Sequence, residues 1–287
     1  MWTGIPPEQR RDTLVRGAAF GHGGPKREAL YGAHCMLMGT DLVVSAVHRY
    51  DSLGELAAGI IGSNDGHWAL DLPFALPGAA YPALALHDWQ ALLDFMDSYE
   101  TPQVADFLRT ARLQGSEDRC RGPGAGCRLT DALSGAFGPL ARHGPGSLRI
   151  AIEWLKLLGR LRRHDIRVYP FDRPFPDRPF PKQPGPDTTK VYEVDPSHTR
   201  AWIGFEEGAM PPDFVEAFNR LKDRAVKLVT FPDTPIPTRG LDAVVACATL
   251  ANALRAYGLQ RGWDAMPANV TVREWEARQK EGLIVRL

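Results

Sequence analysis

Three acidic side chains stand at the ends of apolar runs far apart in the chain: Asp71 in WALDLPF, Glu193 in KVYEVDP and Asp242 in LDAVVACATLANAL. A lone carboxylate is costly to desolvate, so carboxylates placed in this way are best used together, where two or three share a cation. Each acid also has an ordinary structural use. Asp71 precedes Leu72-Pro73 and could accept backbone N–H groups in a turn, Glu193 could pair with Arg200, and Asp242 lies where a helix dipole favours a carboxylate.

Other residue types narrow the chemistry further. Between Arg119 and Arg167 ten Lys/Arg stand against three acids, a local bias in a chain whose 34 basic and 34 acidic residues cancel. Arg149, Lys156, Arg160 and Arg163 recur at helical spacing opposite Ile152, Leu155 and Leu158, which makes one basic stripe of the kind that tracks phosphates, or a solvated helix face. The eight histidines show no spacing that a zinc protease or deaminase would use, and His198, five residues after Glu193, is the one expected nearest the acids. Neither GHGG at 21–24 nor GPGAG at 122–126 carries the Lys-Ser/Thr of a P-loop, and no Gly-x-Ser-x-Gly is present. Cys120 and Cys127 flank a loop that could close a bridge or hold one edge of a metal site, but zinc sites use tighter spacing and a second ligand pair. Cys35 and Cys247 lie in apolar stretches, so the four cysteines argue for no disulfide framework.

The elements that must position these residues follow from pattern. With 287 residues and 44% hydrophobic content the chain is long and apolar enough to fold around a core. Its neutral charge gives no general pull toward nucleic acid or membrane. No run approaches the ~18 apolar residues of a membrane span. The start, MWTGIPPEQRRD, lacks the apolar segment of a secretion signal, so a cytoplasmic location is expected. Residues 14–50 alternate and break at glycines, as two hairpins or a three-stranded meander would. SLGELAAGIIGSN reads as a helix capped by Ser52, and WALDLPFALPG as a buried strand ended by prolines. The stretch from Tyr81 to Arg163 is helical by pattern, IRVYPF and KVYEVDP read as strands, and the prolines of the loop 172–186 forbid regular structure there. Residues 211–229 read as a helix, a long apolar helix follows Gly240, and GLIVRL is a short terminal strand. The expected architecture is a single α/β domain over 1–287, a mixed sheet flanked by helices, with a helical insertion over roughly 81–165.

The order meander, helix, strand with Asp71, strand with Glu193, helix with Asp242 resembles a ribonuclease-H-like fold. In that fold carboxylates at strand ends and on the last helix meet at one edge of the sheet and bind divalent metal for phosphodiester cleavage. The motifs narrow the resemblance to the family known as domain of unknown function number four-two-nine, predicted to be ribonuclease-H-like nucleases. They are ALDLPFALP at 69–77, RLTD at 128–131 with FGPL at 137–140, VYEVDPSH at 191–198, GLDAVVACATLANAL at 240–254, and the terminal EGLIVRL.

The chain departs from that family at two places. The family opens with Gly-x-Asp-Phe-Ser-Gly, whose Asp is a central metal ligand, whereas Gly17-Ala18-Ala19-Phe20-Gly21 puts Ala19 in the acid's place. The family's helix motif Asp-x-x-Asp-Ala is here Arg239-Gly240-Leu241-Asp242-Ala243, which keeps only the second acid. An alternative alignment through Gly39-Thr40-Asp41-Leu42 restores an acid but leaves little chain before Asp71. The resemblance implies metal-assisted hydrolysis on nucleic acid. Asp71 and Asp242 would ligate Mg²⁺ or Mn²⁺, Glu193 would complete the acidic edge, and Arg128 or the stripe of Arg149, Lys156, Arg160 and Arg163 would hold phosphate. The rival expectation is an inactive member that serves as a nucleic-acid- or protein-binding scaffold.

Overall fold

A computed structural model describes residues 12–21, 29–63, 66–111, 113, 127–128, 131, 139, 147–164, 166–169, 171, 188–205, 211–222, 224–230, 236–237, 240–257 and 284–285. In chain order the elements are β1 (Thr13–Gly21), β2 (Ala29–Met38), β3 (Asp41–Tyr50), α1 (Leu53–Ile61), β4 (His67–Leu70), α2 (Ala80–Ala83), α3 (Trp89–Ser98), α4 (Thr101–Thr110), α5 (Ser147–Arg162) and β5 (Arg167–Val168). They continue with β6 (Lys190–Glu193), α6 (Pro196–Trp202), α7 (Pro211–Arg220), β7 (Lys227–Thr230) and α8 (Leu241–Tyr257). The chain divides into two compact units, one of residues 1–71, 187–263 and 285–287, the other of 72–186 and 264–284. The expected helical insertion falls inside the second.

The first unit is built on a mixed sheet in which the strands run β6-β4-β1-β2-β3-β7. β1, β2 and β3 form the antiparallel meander that the alternating sequence predicts. The turn between β2 and β3 is Gly39-Thr40, and Gly39 has φ +60, the left-handed conformation that a tight hairpin asks of its first central residue. β4 and β6 add in parallel on one side and β7 in parallel on the other. Ser52 caps α1 by accepting the Glu55 N–H at 3.1 Å, as its position in the sequence suggests.

Helix α8 lies on the sheet because the chain lets it come close. A Cβ on Gly17 of β1 would stand 2.2 Å from the Ala243 carbonyl oxygen and 2.9 Å from Cys247 Sγ. Only a glycine leaves that room. The helix offers Ala243, Val244, Val245, Ala246, Cys247 and Ala248 as consecutive buried residues, so it is apolar all round, as an enclosed helix must be. On the opposite face Arg16 lies over Trp68, 5.6 Å from its ring, and His34 and His48 stack edge to face at 4.8 Å.

Two expectations on the elements change. The helix read over 211–229 stops at Arg220, and Lys227–Thr230 is an outer strand beside β3. Its Val229 and Thr230 are β-branched and favour a strand, and pairing with the edge of β3 fixes the outcome. The alternative acid Asp41 is exposed at the hairpin end of the sheet; β1 and β2 run antiparallel, with Thr13 beside Leu37, so that end is opposite the one where Ala18 meets β4. The proline-rich loop 172–186 and Arg239 lie outside the described residues.

The second unit holds α2 to α5 and β5. Ala151, Ile152, Trp154, Leu155, Leu158 and Leu161 of α5 are buried, with α3 and α4 packed against the helix. Asp88 caps α3 by accepting the Ala91 N–H at 2.8 Å. Trp89 stacks on Phe171 with ring centroids 4.0 Å apart and donates to the Phe74 carbonyl at 2.7 Å. Among the described residues no helix is long and apolar enough to cross a membrane.

Candidate functional site

The parallel ladder of β1, β4 and β6 sets the positions of the acids. Leu70 is the register partner of both Ala18 and Glu193, and the ladder runs one step further, with Asp71 N–H donating to Ala18 O at 2.9 Å and Val194 N–H to Leu70 O at 3.0 Å. Asp71 is therefore the residue on which β4 leaves the sheet, beside Ala19 of β1.

Around Asp71 the structure brings together three more acids and one cation. Burial pushes its carboxyl well above the usual carboxylate range, Asp195 and Asp242 raise it further, Arg200 opposes them, and Glu193 adds a smaller rise. The residue keeps some exposed surface while the surroundings of its carboxyl are dense, so burial is the larger cause. Among the described residues no hydrogen-bond donor or ion-pair partner meets that carboxyl. No backbone N–H of a described residue donates to it, as the turn role that the sequence also allows would require.

Asp242 stands in the first turn of α8, 4% exposed, with Oδ1 3.1 Å from Arg200 Nη1. Arg200 comes from α6, which Thr199 ties to α8 through a hydroxyl contact with Thr249 at 2.8 Å. The expected Glu193–Arg200 pairing is thus corrected, since the guanidinium goes to Asp242.

Glu193 and Asp195 exchange the importance the sequence gives them. Register partners in a sheet share a face and neighbours along a strand alternate, so Glu193 takes the face of Leu70 while Asp71 takes the other. Asp195 is the strongest charge felt by Asp71. It caps α6, accepting the His198 N–H at 3.0 Å and the Ser197 hydroxyl at 2.6 Å. Sequence reasoning passed over Asp195, although Asp-Pro-Ser opening a short helix is a capping signal. His198 sits in that first turn, its backbone N–H on the Asp195 carboxylate.

The residues expected to hold phosphate belong to the second unit. Arg128 is 2% exposed and Asp131 0%, with Arg128 Nη2 donating to Asp131 Oδ1 at 2.6 Å and Nε to Oδ2 at 3.0 Å. Its guanidinium is consumed by a buried structural pair, which corrects the phosphate-holding expectation. On α5, Arg149 and Arg160 are exposed, whereas Lys156 donates to the Tyr99 carbonyl at 2.5 Å. Arg163, just past the helix, pairs with Asp97 at 2.9 Å. Half of the stripe is already engaged.

Cys35 and Cys247 are free and buried, as their apolar contexts suggest, whereas Cys127 is disulfide-bonded. Among the described residues no group of three or more His, Cys, Asp or Glu is arranged to hold a metal ion. No family model, curated protein or solved structure matches the chain.

Proposed function

We propose that this chain is a ribonuclease-H-like protein whose acidic rim takes a divalent cation and with it hydrolyses a phosphodiester of nucleic acid. The element order supports the reading: an antiparallel meander, a helix, two parallel strands that end at Asp71 and Glu193, and a helix with Asp242 in its first turn. The observation that carries it is Asp71, a carboxyl that meets no donor among the described residues and feels the charges of Asp195, Asp242 and Glu193. Carboxylates crowded together repel, one of them takes a proton, and a cation relieves both effects.

The donor set suits the hard-oxygen chemistry of Mg²⁺ or Mn²⁺, with Asp71 and Asp242 as ligands and Asp195 in the supporting place the sequence gives to Glu193. Such an ion supplies Lewis acidity to a phosphate oxygen and activates water. The chain's own part would be to present the Asp71 carboxyl at the end of β4 and to orient Asp242 through α8. A cleavage assay on single-stranded and duplex substrates with millimolar Mn²⁺ tests this. Wild type is expected to cut and Asp71→Asn to be silent; equal cleavage by both removes Asp71 from the mechanism.

Two observations favour a second reading, a binding scaffold without turnover. Ala19 stands where the family's first acid would be, and Arg200 already neutralises Asp242. Binding of nucleic acid without cleavage at any Mn²⁺ concentration would select it.

A further inference from the structure

The two free cysteines, which the proposed function does not use, meet in the layer between α8 and the sheet. Gly17 faces α8, its register partner Ala33 shares that face, and Cys35, two residues further along β2, returns to it. From the helix side Cys247 hangs its thiol over the same two strands. Its Sγ donates to the Ala33 carbonyl at 3.6 Å and to the Val15 carbonyl at 3.7 Å, and Val15 is the register partner of Cys35. The two thiols are hydrogen-bonded to each other, and the glycine at position 17 is what lets the helix backbone come this near. Both side chains are buried, and burial first, then the bond to Cys35, pushes the Cys247 thiol well above its ordinary range. In the packed fold the pair is therefore inert, because the nucleophile is the thiolate. We propose that Cys35 and Cys247 are a latent cross-link site, a dithiol that closes to a disulfide between β2 and α8 when the helix lifts from the sheet in the presence of a small disulfide oxidant. Once exposed, one cysteine loses its proton, attacks a sulfur of glutathione disulfide and expels a glutathione thiolate. The other cysteine then loses its proton, attacks the mixed disulfide and expels the second. One S–S bond forms in the chain as one breaks in the oxidant, two electrons pass from the cysteines to the glutathione, and the two protons end on the released thiols. The cross-link pins the helix that carries Asp242 to the sheet, and it needs neither a metal ion nor nucleic acid, so it stands apart from the proposed function.

The test incubates the full chain with glutathione disulfide in native buffer, in urea below the unfolding midpoint, and during refolding from urea. Remaining thiols are then blocked and the peptides mapped by mass spectrometry without reductant. The expected product is the Cys35 peptide joined to the Cys247 peptide, lighter by two hydrogens than the two reduced peptides, forming slowly in native buffer and faster as urea rises. The cross-linked chain should melt about 5–10 °C higher than the untreated one. Cys35→Ala and Cys247→Ser, the second keeping a donor for the Val15 and Ala33 carbonyls, should each show no rise on the same treatment. Glutathione adducts that never close, a bond from either residue to another cysteine, or no linkage even after refolding with the oxidant overturns the site. Closure at one rate in native buffer and in urea overturns the requirement that α8 lift.

Discussion

Asp71 is the most exposed to test among single residues, because its charge state is tied to its surroundings. Its folded-state pKa lies above the ordinary 3.8, so the stability it contributes is fully present below that value and is lost as pH rises through the folded value. Asp71→Asn removes the loss. In chelator the variant is expected to be more stable than wild type at pH 8 and to show no such gain at pH 3, measured by urea midpoints. His67 acts in the opposite direction. Burial first and Lys190 second lower it to about 3, and the unfolded chain binds the extra proton between there and 6.5. Stability therefore falls as pH drops below 6.5, at up to about 1.4 kcal/mol per pH unit, and His67→Gln should flatten that acid limb. Arg128–Asp131 is a pair of a different kind, buried and closed. Asp131→Ala leaves a guanidinium buried without its partner and is expected to cost about 3–5 kcal/mol in urea denaturation. At this scale Asp71 and Asp242 were legible because apolar runs end on them. The face that Glu193 takes was not, since it depends on register against β4, and register is a property of two segments far apart in sequence.

At the scale of elements the contact of α8 with β1 decides whether the rim forms. Gly17→Ala inserts a methyl where the Ala243 carbonyl stands 2.2 Å away, so the helix must back off or the strand must bend. The expected loss is about 1–3 kcal/mol by denaturation, with Mn²⁺ stabilisation weakened as well because Asp242 moves with α8. Weakened folding with an unchanged Mn²⁺ midpoint would separate the helix position from the site. The meander, α1 and the apolar helix were readable from period and caps: Gly39 in the turn, Ser52 at the N-cap, the apolar run from Leu241. Lys227–Thr230 was not, because a four-residue segment after a helix is too short to show a period of its own, and pairing with β3 settles its form.

For the whole molecule, charge limits what nucleic-acid binding can look like. The chain is neutral, and among the described residues Arg149 and Arg160 are the expected phosphate holders that are exposed and meet no partner there. Removing both should reduce the slope of log K against log salt by about 1.4 for a single strand or about 1.8 for a duplex, read by fluorescence anisotropy. An unchanged slope places the contact elsewhere. The division of the chain into two units was only half legible: the helical stretch stood out by pattern, but where one unit gives way to the other, at residues 71–72, has no mark in composition. The resemblance drew together segments spread from residue 69 to the terminus and implied a site of Asp71, Glu193 and Asp242; the proposal that follows is that Asp71 and Asp242 take a cation, with Asp195 in the place expected of Glu193. Thermal melts of wild type and Asp71→Asn across a Mn²⁺ titration test this most directly. A rise in Tm with Mn²⁺ in wild type that is lost in Asp71→Asn is the predicted result; no rise in wild type, or the same rise in both, would contradict it.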